Sequence, residues 1–236
     1  MIYSWGDKHQ MRLKPMIVVL SVISTLVLFP GAVIGSDEGM MAVNRSLYVL
    51  SSNDEIRANW TGDLSFGEGE MAIPQLFQAD FTNILAVYKG EERSVKSSGC
   101  GAVCLSMALA YLRPDLAQSP ETIFRDACLA GYYKGNGLSM ATIRSLAQRY
   151  GIQAEYGGKY RSAIRAALSQ GYPVIAYMDK GCFSGGGHYV LLRGITQDDQ
   201  VRINDPNNPE RSAQTYPLSL IVEQSRSGSP FLICKP

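Results

Sequence analysis

The chain has 236 residues, 46% of them hydrophobic and 18% charged, with a formal net charge of +1. That length suits one domain plus an appendage, and the composition supports a packed core, which excludes a disordered chain. With neither a basic surplus nor an acidic run, the charge argues against nucleic acid as a partner and against a solvating acidic tail.

In chain order, Arg12 and Lys14 precede an apolar run over residues 16–29, which Pro30-Gly31 breaks. A spanning helix needs about 20 apolar residues. Residues 1–36 are therefore expected to be a signal peptide cut ahead of Ser36. Left uncut, the segment would anchor the chain in a membrane, because apolar character resumes through Ile34. Either outcome places the rest outside the cytosol, secreted or on the extracytoplasmic face of the membrane. Residues 37–72 are polar and turn-forming around Asn53-Asp54-Glu55 and Gly67-Glu68-Gly69-Glu70, with a short apolar run at Leu47-Tyr48-Val49-Leu50, and read as a spacer or pro-segment.

A core domain is predicted over residues 73–236. An apolar stretch at 81–87 leads to a charged turn at Lys89-Gly90. A helix then runs from Cys100 to Arg113-Pro114, with Val103, Met107, Ala110 and Tyr111 at three- and four-residue steps. Ser119-Pro120 supplies a cap and a first helical residue for a second helix. After a loop carrying Tyr132 and Tyr133, Ser139 caps a third helix, closed by Tyr150-Gly151. A strand at 152–156, a helix at 161–170 and a buried strand at 173–178 follow. A strand opening at His188, a hairpin partner at 201–204, a helix at 218–224 and a strand at 230–234 complete the chain. Helices early and strands late make an α+β pattern.

The chemistry-bearing residues are few. Cys100 stands between Gly99 and Gly101 at a loop-to-helix junction. The first N–H groups of a helix have no intrahelical partner and the dipole is positive there, which favours a thiolate, the nucleophilic form. The flanking glycines leave room for a substrate carbonyl. The chain holds only two histidines. His9 lies before the apolar run, so His188, at the start of its strand, is the candidate base, and Asp205 is the candidate to orient its ring. The other cysteines, Cys104, Cys128, Cys182 and Cys234, are even in number and compatible with disulfides in an exported protein. Zinc held by Cys100, Cys104, Cys182 and His188 is a rival reading, but the pairs lack the tight spacing of most closed sites. A redox thiol protein is another, but no C-x-x-C motif exists.

Gln78-Ala79-Asp80-Phe81, Ser98-Gly99-Cys100-Gly101, Gly187-His188-Tyr189-Val190 and Asn204-Asp205-Pro206, in this order, resemble the C39-like, bacteriocin-processing-type cysteine peptidases of bacteria. The resemblance runs from Ile73 to the C-terminus and departs at Ala102-Val103, where the family often has Pro-Thr. It implies a papain-like α+β fold with N-terminal helices packed on an antiparallel sheet. It also implies Cys100 as nucleophile, His188 as base, Asp205 as orienter and Gln78 as an oxyanion donor, with Gln75 a near competitor. The substrate implied is a peptide or protein, and the chemistry calls for no cofactor. The same thiol could serve an acyl transferase, and the same fold a non-catalytic peptide-binding module.

Overall fold

The computed structural model describes two short strands, Val33–Ser36 (β1) and Gly39–Val43 (β2), and residues 69–236. The apolar run at 16–29 and the stretch Leu47-Tyr48-Val49-Leu50 lie outside the described residues. Among the described residues no helix is long and apolar enough to cross a membrane.

A first antiparallel sheet, in the order β1-β2-β3-β4, is completed by Ala86–Tyr88 (β3) and Glu91–Arg93 (β4). The predicted turn between the last two is tight. Lys89 and Gly90 both adopt positive φ, 50° and 81°, which matches the twist of a two-residue hairpin. β2 pairs with β3, so part of the stretch read as a spacer is a sheet strand.

The helical layer follows. Val95–Ser98 (α1) opens on a capping box in which Ser94 and Ser97 satisfy each other's backbone N–H groups. Cys100–Leu112 (α2) is buried from Gly101 to Ala110. It is apolar on every side, as a helix must be when other elements surround it. Pro120–Leu129 (α3) and Met140–Arg149 (α4) pack against it. Their predicted caps form, with Ser119 accepting from the Thr122 N–H and Ser139 from the Thr142 N–H, each at 3.1 Å.

Gln153–Tyr156 (β5), Arg161–Ser169 (α5), Val174–Met178 (β6), His188–Ile195 (β7), Gln200–Asn204 (β8), Pro209–Ser212 (α6), Thr215–Pro217 (β9), Leu218–Gln224 (α7) and Phe231–Lys235 (β10) follow in turn. The strands form a second antiparallel sheet in the order β5-β10-β6-β7-β8-β9. β7 lies in its interior, buried except at Arg193, and α2 packs against it. The fold is the expected one, α+β with helices on an antiparallel sheet. The short elements α1, α6 and β9, and the 3-10 turns at Gln78–Asp80 and Pro114–Leu116, have no counterpart among the predicted elements.

A strap formed by residues 69–78 crosses the sheet and carries that turn. Met71 N–H donates to Arg193 C=O at 2.8 Å, and the Asn204 amide donates to Ile73 C=O at 3.3 Å and Pro74 C=O at 3.0 Å. Glu70 accepts from Arg193 at 2.8 Å and Arg202 at 2.6 Å. Burial alone would raise the Glu70 carboxyl, but the two guanidinium groups hold it below its ordinary value. The strap lies so close that a Cβ on Gly194 would sit 2.8 Å from the Gly69 carbonyl oxygen.

Candidate active site

Cys100 is the first residue of α2, as its junction position predicts, and it is partly buried. The first intrahelical hydrogen bond runs from Val103 N–H to Gly99 C=O at 3.0 Å. The N–H groups of Cys100, Gly101 and Ala102 therefore belong to the open turn of the helix. The flanking glycines have a different reason from the one expected. A Cβ at Gly99 would lie 2.5 Å from Val95 Cγ1, and one at Gly101 2.7 Å from Ile143 Cδ1 and 3.2 Å from Tyr189 Cδ2. Close packing of the helix start against α1, α4 and β7 excludes a side chain there, so these glycines position Cys100 rather than clear a path to it.

His188 is the first residue of β7, paired with Met178 of β6, and is buried. Its Nε2 meets Asp205 Oδ1 at 2.8 Å, and the Cys100 thiol is near enough to raise the proton affinity of the ring. Burial by itself would lower the imidazole's proton affinity. The hydrogen bond to Asp205 and the interactions with Cys100 and the Asp205 charge outweigh it and push the value up to about 9. Asp205 follows the end of β8 and is fully buried. Desolvation would raise its carboxyl, but the hydrogen bond and charge of His188, then Arg211 and the Asn207 N–H, hold it below the usual carboxylate range.

The two glutamines differ in what their amides do. Gln75 Nε2 donates to Leu76 C=O at 3.0 Å and Asp205 C=O at 3.1 Å, so both of its amide protons are engaged. Gln78 Nε2 donates to Lys96 C=O alone among the described residues, at 2.9 Å, which leaves one proton. The Gln78 N–H also donates to Pro206 C=O at 2.8 Å, tying this residue to the Asp205 segment.

Arg211 is the residue that sequence reasoning missed. Its Nε donates to Asp205 Oδ2 at 2.6 Å from α6. The available signal was Asn208-Pro209, a cap followed by a first helical proline, which starts a helix just after Asp205.

One cavity opens on His188, and a second is lined by none of Cys100, His188, Asp205 and Gln78. The first, of about 400 Å³, is lined by Cys182, Ser184, His188, Asn207 and Arg211. The other, of about 630 Å³, is lined by Tyr132, Lys134, Gly137, Tyr177 and Arg226. The Tyr132-Tyr133 pair divides between core and cleft. Tyr132 is exposed on the second cavity, whereas Tyr133 is buried edge-on against Phe124 and Tyr88, with its hydroxyl 2.9 Å from Ser98 Oγ. Tyr177 stacks on Tyr189 at 4.4 Å, which links the cavity wall to the strand bearing His188.

All five cysteines are free thiols. Burial pushes the Cys128 and Cys234 thiols up to about 12 and raises Cys104 as well. Among the described residues no group of three or more His, Cys, Asp or Glu side chains could hold a metal ion.

Solved structures similar to this chain include three peptidase structures. One is a double glycine motif protease from an AMS/PCAT transporter in complex with the leader peptide, at 21% identity over 72% of this chain and 95% of that one, with a TM-score of 0.47. A second is the peptidase domain of Streptococcus ComA, a bi-functional ABC transporter, at 17% identity over 59% and 93% of the two chains, with a TM-score of 0.45. A third is a protein described as a C39-like peptidase from Bacillus anthracis, at 16% identity over 72% and 98%, with a TM-score of 0.51. The last likeness speaks to fold, and the fold is papain-like. No curated protein matches the chain. Residues 71–226 match a family model, from the strap that carries Gln78 through the Cys100 helix and past Asp205, and the chain belongs to the family that model describes, the Peptidase_C39 like family.

Proposed function

We propose that this protein is an exported cysteine peptidase that hydrolyses peptide bonds through Cys100, His188 and Asp205. The observation that carries the reading is the buried His188 ring, hydrogen-bonded to the buried Asp205 carboxylate and electrostatically coupled to Cys100 at the start of α2. In this reading His188 takes the thiol proton and Cys100 attacks the substrate carbonyl. The oxyanion lies against the open N–H groups at the start of α2 and the remaining amide proton of Gln78. His188 then protonates the leaving amine, leaving a thioester that water, deprotonated by His188, resolves to the acid and the free thiol. An amine in place of water would give acyl transfer by the same steps. The cavity beside His188 accepts part of the chain of a peptide or protein substrate.

The direct test is a digest of a peptide library, with the products identified by mass spectrometry and the Cys100→Ala protein as the blank. Cleavage by both proteins, or by neither, rejects the proposal.

Gln78→Ala is expected to lower kcat by on the order of 10²–10³-fold with little change in KM or thermal stability, because an oxyanion donor acts only in the transition state. Gln75→Ala is expected to spare kcat. The opposite result would transfer the role to Gln75.

Export rests on the basic start and apolar run of residues 1–36. The native protein recovered from outside the cytosol is expected to begin near Ser36 by N-terminal sequencing. A first residue upstream of Met16 would mean that the segment is retained as an anchor.

A further inference from the structure

We propose that Arg211 is a positioning residue for the catalytic group, holding Asp205 ionised and aimed at His188; the inference rests on the peptidase reading of this site. Asp205 is wholly out of solvent. Its Oδ1 accepts from His188 Nε2 and from the Asn207 N–H, both at 2.8 Å. Its Oδ2 accepts from Arg211 Nε at 2.6 Å. A carboxylate anchored at one oxygen cannot turn about its Cβ–Cγ bond, so the contact to Oδ2 fixes where Oδ1 points. Without the guanidinium, a buried anion would face His188 with one oxygen short of a charged donor, an arrangement that low dielectric makes costly.

The local sequence is built to deliver that guanidinium. Asn208 caps α6 by accepting from the Arg211 N–H at 2.7 Å, and Pro209 is its first helical residue. One position on, Ser212 Oγ accepts from the Asp205 N–H at 2.8 Å. This short helix therefore grips Asp205 by both backbone and side chain. The Arg211 side chain is 26% exposed and lines the smaller cavity beside His188. Its charge acts directly on the site.

The charges alternate when Cys100 is a thiolate: Cys100 negative, His188 positive, Asp205 negative, Arg211 positive. The charge of Asp205 is felt by Cys104 of α2 and, with that of Arg211, by Tyr216 of β9; burial raises both groups, so both are neutral at working pH. Removing the positive charge of Arg211 raises the proton affinity of every remaining group in the row. Both limbs of the activity profile should then move to higher pH. A residue with only a structural role would change the amount or stability of folded protein and leave the limbs in place.

His9 is the chain's one other histidine, so the His188 ring can be followed by NMR titration of the full chain. Arg211→Gln is expected to raise the His188 midpoint by on the order of one pH unit. It should also shift both limbs of kcat/KM the same way and lower kcat by on the order of 10-fold. Arg211→Lys keeps the charge but loses the planar Nε–H, and should hold the midpoint near the wild-type value while lowering kcat. An unmoved midpoint in Arg211→Gln overturns the inference. If that variant does not fold, a wild-type kcat in Arg211→Lys overturns it instead. A shifted midpoint in a protein that hydrolyses no peptide would sink the peptidase reading and leave the Arg211–Asp205–His188 coupling standing. Hydrolysis with an unmoved midpoint would do the reverse.

Discussion

Replacing Cys100 with Ala should abolish peptide hydrolysis, a loss on the order of 10⁴-fold or more, while the thermal midpoint stays close to that of the wild type. The side chain is partly exposed at a helix start, so its removal opens no core cavity. The same site can be probed without a substrate, because the chain carries its own reference thiol. Cys182 is exposed, whereas Cys104, Cys128 and Cys234 are buried and held protonated by desolvation. Iodoacetamide on the native protein should therefore label Cys100 and Cys182 only, as located by peptide mapping. Cys100 should react the faster of the two if His188 is its base, as proposed. His188→Ala should slow Cys100 and leave Cys182 unchanged. Equal rates at both thiols, with no response to His188→Ala, would favour a peptide-binding module over a peptidase.

Asp205→Ala should be the most damaging substitution for folding and activity together. It removes a fully buried anion and leaves Arg211 and protonated His188 without their shared partner. Breaking a buried pair in this way costs about 3–5 kcal/mol. Turnover should fall by on the order of 10³-fold, as the imidazole loses both its orientation and the stabilisation of its charged form.

The cost should depend on pH with a definite sign. Asp205 has a depressed folded-state value, so its contribution is present above the unfolded value of about 3.9 and is lost as pH falls through the folded one. His188 has a raised value, so its contribution is present below about 6.5 and is lost as pH rises through about 9. At about 1.4 kcal/mol per unit, that rise is worth roughly 3 kcal/mol, shared between Asp205 and Cys100. The gap in unfolding free energy between wild type and Asp205→Ala should be widest between about pH 4 and 6.5 and should narrow on both sides. Urea unfolding across that range measures it, and a gap independent of pH would show that the ion pairs do not contribute.

Much of the fold was legible because its signals are local. Ser119-Pro120, Ser139 and Tyr150-Gly151 mark helix ends through backbone groups a few residues away, and the expected helices begin and end close to where they are found. The all-apolar stretch after Cys100 could only be a core helix, and the run from His188 only a buried strand. With two histidines in the chain and one of them ahead of the apolar run, His188 was the candidate base for Cys100 by elimination.

What the sequence did not determine depends on groups that meet only after folding. Gln75 and Gln78 are alike in type and neighbourhood along the chain. The difference between them arises from the Asp205 carbonyl, which engages the second amide proton of Gln75 from 130 residues away. The glycines around Cys100 looked like access for a substrate, whereas Val95, Ile143 and Tyr189 occupy that space. Tyr132 and Tyr133 are adjacent in sequence, yet one borders a cavity and the other is core. The short helix that carries Arg211 is too brief to be stable by itself, and it exists because Asn208 caps it and Asp205 draws its side chain inward. Local chemistry determined the elements of this protein and where its candidate reactive residues stand in them, since caps, turns and apolar periodicity act within a few residues. Only the tertiary structure decided which amide is free, which glycine is crowded and which cation meets the buried carboxylate, because each of those outcomes is a contact between distant parts of the chain.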